Sequence, residues 1–231
     1  MFKAGFLSFI LVCNSFFVIA ADIAVLTAAI GDAYKPVVGV AIENKRKYCE
    51  KHGYDFICLE ESLDSSRHPA WSKIKLCEKV LSIGKYQWVF WTDADSLFMD
   101  FATKLEEFID EDYNFIVGRE STYVNTGQFF LKNSPESFDF LKDIYEMTEF
   151  IDTYGWWEQG SIVKLLEENE EYRAAAKLVS NRLFNSFYFS HRWAGKEEYY
   201  QRGDFIIHFV GVKDPVILAS LLASYSRRAR L

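Results

Sequence analysis

Cysteine is scarce, with 4 in 231 residues and no Cys-x-x-Cys pair among them. Neither a disulfide framework nor a thiolate zinc site can organise such a chain. No Asn-x-Ser/Thr acceptor with a permitted middle residue occurs, so glycosylation signals lend no support to a secretory route. Positive charge is also short: 26 Lys plus Arg stand against 33 Asp plus Glu, and no basic stripe precedes the last few residues. That balance argues against a nucleic-acid partner. Repeats, low-complexity tracts and interior linkers are missing too.

Apolar and aromatic residues are abundant: half of the chain is hydrophobic and 17% is Phe, Tyr or Trp, enough for one substantial core. The N-terminus stands apart from it. Lys3 precedes an uncharged run from Ala4 to Ala21 that ends in small residues, the pattern of a cleaved signal peptide. At the short limit for a span, and interrupted by Asn14 and Ser15, the run could instead remain as a signal-anchor. Residues 22–231 are then expected to form one domain. The leader implies the ER and Golgi lumen, with membrane attachment if the anchor stays, or export in a bacterium. Its removal takes Cys13 and leaves Cys49, Cys58 and Cys77, an odd number.

The pattern predicts strands at Ile23 to Ala28, Asp55 to Leu59 and Trp88 to Thr92, with helices from Pro36 to about Lys51 and from Ser72 to about Ile83 between them. Strand, helix, strand, helix, strand is the signature of a parallel α/β sheet. Further strands are expected at Asn114 to Gly118, Gln128 to Leu131 and Phe205 to Phe209. Helices are expected at Pro135 to about Thr148 and Gln159 to Asn169, with an amphipathic one at the C-terminus whose basic tail reads as a solvated end. Tyr54, Trp71, Trp88 and Trp91 are assigned to the core.

With 14 Asp in 231 residues, about one Asp-x-Asp pair arises by chance, and Asp110-Glu111-Asp112, in a charged stretch, reads as a solvated example. Asp93-Ala94-Asp95 differs in position: it follows the apolar run Trp88-Val89-Phe90-Trp91, and α/β sheets bind ligands beyond the carboxyl ends of their strands. Two carboxylates there can share a hard divalent cation that takes its remaining ligands from substrate phosphates. The same pair could alternatively cap a loop or helix. Late in the chain, His208 ends an apolar run, Gly211 permits close backbone approach, and Lys213 adds a point charge. An imidazole beside two carboxylates favours Mn²⁺ over Mg²⁺, with Mg²⁺ the second option. Asn125-Thr126-Gly127 reads equally as a ligand segment or a turn entering a strand. Trp156 and Trp157 read equally as a stacking floor for a sugar or as core.

Glu43-Asn44-Lys45 to Tyr48, His52-Gly53-Tyr54-Asp55, Trp71-Ser72-Lys73, Trp91 to Ser96, Asn125-Thr126-Gly127, Glu158-Gln159-Gly160 and His208 to Lys213 occur in this order. Through these seven blocks the chain resembles glycosyltransferase family 34, galactosyl, xylosyl and mannosyl transferases of GT-A fold, and more distantly the glycogenin-like transferases. The resemblance implies a mixed sheet with helices on both faces and a retaining, metal-dependent transfer from a nucleotide-sugar to a glycan hydroxyl. It implies that Asp93, Asp95 and His208 bind the ion, that Lys73, Gly211 and Lys213 hold the diphosphate beside Ala94, and that Thr27 and the residues after it border the base. Asn125, Thr126 and Gly127 would meet the sugar or acceptor, and Trp157 joins them where the indole is read as a stacking floor. Gln159 would back the reacting carbon, or Glu158, where relatives often carry Asp, would act as nucleophile. Two other classes compete. A haloacid-dehalogenase-type phosphatase would use Asp93 as nucleophile and Asp95 as acid, but its later acidic pair is missing, since the last strand ends in His208. A non-catalytic carbohydrate-binding relative would keep the fold without turnover.

Overall fold

The computed structural model describes residues 22–120, 123–153, 155–189 and 195–231. The expected leader, 1–21, lies outside the described residues. Strands β1 (Ile23–Ala28), β2 (Asp55–Leu59) and β3 (Trp88–Thr92) form where the three apolar runs predict them. Helices α1 (Lys35–His52) and α2 (Ser72–Leu81) connect them. Pro36 opens α1, and Gly53 closes it with a left-handed φ of 78° that a side chain adopts only under strain.

Strand β4 (Ser96–Phe98) follows the Asp93-Ala94-Asp95 turn, and the two strands expected next, β5 (Phe115–Arg119) and β6 (Val124–Lys132), pair antiparallel. Helices α3 (Pro135–Glu146), α4 (Trp157–Glu168) and the short α5 (Glu170–Ala174) lead to β7 (Ala176–Ser180), β8 (Ser186–Phe187) and β9 (Ile206–His208). Helix α6 (Pro215–Ser226) ends the order. The main sheet runs β2-β1-β3-β6-β5-β7, parallel through β1, β2 and β3 and antiparallel at β6. A second, three-stranded sheet runs β4-β9-β8.

Each face of the main sheet is sealed by residues of one parity, as the twofold alternation of a strand requires. Ala24, Leu26, Val89, Trp91 and Leu131 pack with Ile74, Cys77 and Val80 of α2 and Phe140 of α3. Val25, Phe90 and Phe130 pack on the other side with Tyr48 and Cys49 of α1. Trp71, Trp88 and Trp91 are buried as expected, whereas Tyr54 is half-buried because its hydroxyl donates to Glu106 and accepts from Leu105 N.

The structure departs from expectation at three places. Strand β9 falls within the strand expected at Phe205 to Phe209, but its sheet with β4 and β8 was not anticipated, because runs as short as theirs carry no readable period. Strand β7 extends the main sheet parallel to β5, although its residues are only partly covered and show no alternation. Helix α6 is not amphipathic: Leu218 and Leu222 are buried on α1, yet Val216 and Ile217 are 73% and 54% exposed. Nor is the basic tail simply solvated, since Arg230 pairs with Asp100 at 2.8 Å and its carbonyl accepts Phe101 N.

Candidate functional site

At the end of β3 the chain turns sharply. Asp93 N donates to Gly127 O of β6 at 2.8 Å, and Ser96 Oγ donates back to Asp93 O at 2.8 Å. Strand β4 then runs antiparallel to β9 with Ser96 opposite His208, and Phe209 N donates to Asp95 O at 2.9 Å. That register brings the late histidine to the early acids. His208 Nε2 lies 3.3 Å from Asp95 Oδ1 and 3.9 Å from Asp93 Oδ2, and one donor atom from each of the three residues falls within 4.8 Å of the others.

The donor set fits a divalent cation of the first transition row: two carboxylates that retain some exposure and one buried imidazole, with room for substrate oxygens. Gly127 makes the approach feasible. A Cβ there would overlap the imidazole, standing 2.8 Å from His208 Nδ1. Trp91 Nε1 donates to Asp93 Oδ1 at 2.6 Å and orients that carboxylate. Burial works against the charge on Asp95, but the His208 ring when protonated, and then Lys45, outweigh it and hold the carboxyl below its ordinary range. Lys45, fully buried in α1, donates to Ser96 O behind the turn; burial pulls its ammonium down to about 8, against the opposing pull of Asp95 and Asp93.

The opposite wall is built by α2, β6 and α4. Lys73 Nζ donates to Thr126 O at 2.8 Å and to Glu158 Oε1 at 2.7 Å, and lies 3.3 Å from Asp93 Oδ1. Burial opposes this ammonium, yet Asp93 and Glu158 together raise it above the ordinary lysine value. Lys73, expected at the diphosphate, directs its three N–H groups at the oxygens of Thr126, Glu158 and Asp93 in this arrangement. Burial raises the Glu158 carboxyl despite Lys73, and Glu158 Oε2 is buried with no hydrogen-bond partner. Gln159 Oε1 accepts Thr126 N at 3.1 Å.

Between the walls lies a cleft of about 500 Å³, and Asp93, Ala94, Asp95, Lys73, Asn125, Thr126, Gly127, Trp157, Glu158, Gln159 and His208 all border it. Three expected residues do not. Thr27 is fully buried, because the alternation of β1 turns it inward, while Ala28 and Ile30, among the residues expected to border the base after it, do line the space. Gly211 and Lys213 are exposed on the turn after β9, outside the cleft lining. The side-chain oxygen of Asn125 accepts Gly127 N at 3.0 Å and Asn185 Nδ2 at 2.9 Å.

Trp157 lies flat on His68, with ring centroids 3.9 Å apart and planes 2° from parallel, and both rings border the cleft. Its φ of 34° is left-handed, a strain of about 1–3 kcal/mol that is held beside Glu158. Trp156 also borders the cleft and packs edge-on against Tyr123. Sequence reasoning missed Asn185, Asn181 and His68, and gave Lys45 no role. No spacing marks the first three, and a lysine on a helix reads as solvated until the packing is seen.

A model of the galactosyl transferase GMA12/MNN10 family matches residues 19–112 and 109–214 of this chain. The chain belongs to that family. Among its relatives, probable glycosyltransferase 2 of Oryza sativa subsp. indica is 28% identical over 211 residues, covering 74% of this chain and 43% of that protein. Xyloglucan 6-xylosyltransferase 1 of Arabidopsis thaliana is 32% identical over 111 residues, covering 44% of this chain and 24% of that protein. An uncharacterized alpha-1,2-galactosyltransferase of Schizosaccharomyces pombe is 25% identical over 217 residues, with 74% and 62% covered. This family member thus spans less than half the length of the rice and Arabidopsis relatives.

Solved structures agree on the fold. A glycosyltransferase involved in glycosylation of the major capsid of PBCV-1 superposes with a TM-score of 0.66 at 15% identity, covering 87% of this chain and 98% of that one. The glycosyltransferase GlyE of Streptococcus pneumoniae TIGR4 superposes with a TM-score of 0.58 at 15% identity, covering 88% and 59%. The family member has the GT-A fold, and membership removes the haloacid-dehalogenase alternative. Among the described residues no helix is long and apolar enough to cross a membrane.

Proposed function

We propose that this protein transfers a hexosyl or pentosyl unit from a nucleoside diphosphate sugar, of the UDP-galactose, UDP-xylose or GDP-mannose class, to a glycan hydroxyl with retention of anomeric configuration. The observation that carries the reading is the convergence of Asp93, Asp95 and His208 within 4.8 Å at a cleft of about 500 Å³ whose other wall holds Glu158 and Gln159. Bound there, Mn²⁺, or Mg²⁺ in its place, would neutralise charge on the departing diphosphate.

The remaining roles belong to side chains. Lys73 ties Asp93 to Glu158 and so fixes one wall of the cleft against the other. Thr126 N–H holds the Gln159 amide by its oxygen at the cleft border. Glu158 has one oxygen on Lys73 and the other buried, which favours front-face displacement over a covalent glycosyl-Glu158 intermediate. In that displacement the acceptor hydroxyl forms the new bond as the phosphate leaves, and its proton passes to the leaving phosphate oxygen. We assign the diphosphate to the exposed turn at Gly211 and Lys213, the base to Ala28 and Ile30, and a sugar face to Trp157. The leader-like segment is the ground for placing the activity on the secretory route.

The test is nucleotide release from a panel of UDP- and GDP-sugars with and without Mn²⁺. Release from one donor class that needs the metal is expected. Metal-independent release, or phosphate release from simple phosphomonoesters, would overturn the proposal.

A further inference from the structure

Behind His208 lies a chain of three buried asparagines whose direction can be worked out from backbone groups alone. Gly127 N–H can only donate, so the Asn125 atom 3.0 Å away is an oxygen. Asn185 O can only accept, so the Asn181 atom 2.7 Å away is a nitrogen, and the other end of that amide is an oxygen. Both oxygens face one atom of Asn185, at 2.9 Å from Asn125 Oδ1 and 3.0 Å from Asn181 Oδ1. That atom must be Nδ2. The opposite end of the Asn185 amide is consequently an oxygen, and it stands 2.9 Å from His208 Nδ1.

Asn125, Asn181, Asn185 and His208 are each at most 5% exposed, so water does not compete for these bonds. Space for the chain is made by two glycines of adjoining strands. A Cβ on Gly118 would stand 2.6 Å from Asn181 Oδ1, and one on Gly127 would overlap the His208 ring. The β5-β6 register shifts at Val117 and Gly118, where Asn181 crosses.

From this we infer that Asn185 is a positioning residue that holds neutral His208 as the Nδ1–H tautomer, leaving the Nε2 lone pair aimed between Asp93 and Asp95. The tautomer is contested. Asp95 Oδ1, 3.3 Å from Nε2, would draw the proton to that side. Asn185 prevails because its bond is shorter and sealed from solvent, while the Asp95 carboxylate keeps 20% exposure and can turn to water. A ring held this way meets a cation without a proton shift, and the oxygen behind it makes it a better ligand. The consequence for the ion rests on the metal-dependent function proposed for the cleft; the tautomer does not.

The deciding measurement is the ¹⁵N spectrum of the His208 ring in the metal-free, full-length protein at alkaline pH, paired with Mn²⁺ titration. The wild type should show a protonated Nδ1 and a bare Nε2. Asn185→Leu should move the proton toward Nε2 and weaken Mn²⁺ binding about 10–100-fold. Asn185→Asp, which still accepts from Nδ1, should keep the tautomer and most of the affinity even if it melts earlier. A wild-type ring protonated at Nε2, or Asn185→Leu with an unchanged spectrum, would overturn the inference. Should Asn185→Leu not fold, the wild-type spectrum alone decides. A wild type that shows the Nδ1–H ring yet binds no Mn²⁺ supports the lock and sinks the metal reading instead.

Discussion

The chain carries two triplets with the same letters at their ends, Asp93-Ala94-Asp95 and Asp110-Glu111-Asp112, and the fold treats them oppositely. The second lies in the connection before β5, where Asp110 pairs with Lys177 and Glu111 with Lys132, each at 2.7 Å, and Glu111 and Asp112 are exposed. Solvated pairs of this kind contribute little. The first lies where β3 runs out, with an imidazole delivered opposite by β9, an indole donor on Asp93 and a buried lysine behind. What separates the two is convergence: a strand distant in sequence supplies an imidazole to one pair, whereas the other triplet meets lysines and, at Glu111, the Trp88 indole N–H.

The largest expected effect breaks that comparison directly. Asp95→Ala should lower sugar transfer by at least about 10²-fold, the scale of removing one group that stabilises charge in a transition state. Asp110→Ala should stay within about twofold, as surface changes do. Equal losses in the two variants, measured as kcat/KM with the preferred donor, would show that position at the strand end is not what distinguishes the pairs.

A second variant leaves all four aspartates untouched and disturbs only the convergence. Gly127→Ala places a methyl group against the His208 ring, and should cost about 1–3 kcal/mol of stability and weaken Mn²⁺ binding. Thermal melts and Mn²⁺ titration read the two effects separately; unaltered metal binding would mean the imidazole is dispensable.

The smallest effect belongs to the solvated triplet. Lys177 holds the Asp110 carboxyl below its ordinary value of 3.8. The pair's contribution is therefore present above that value and is lost as pH falls through the depressed one. The melting temperatures of wild type and Lys177→Met should differ slightly at neutral pH and converge in acid; a gap that widened on acidification would contradict this assignment.

Much of this was legible in the letters. Trp88 to Thr92 announced a buried strand by composition, and its end announced the acids, because α/β sheets present ligands there. The later blocks announced Glu158, Gln159 and His208 through family resemblance. Lys73 and Asn125 were placed in the right region, but their protein partners could not be read, because a free ammonium and one tied to three oxygens look alike in sequence. Thr27 itself lies off the cleft border for a simpler reason, since the alternation of β1 turns its side chain inward and brings Ala28 to the space.

The sequence by itself determined the parallel α/β start, the strand ends that carry acids and the family, because apolar period, turn residues and motif order are local properties of the chain. Only tertiary structure brought His208 to those acids and decided which atom of its ring faces them. Those answers depend on the register of β4 against β9 and on a run of amides ending at two backbone groups, and such pairings arise only when segments far apart in the chain come together.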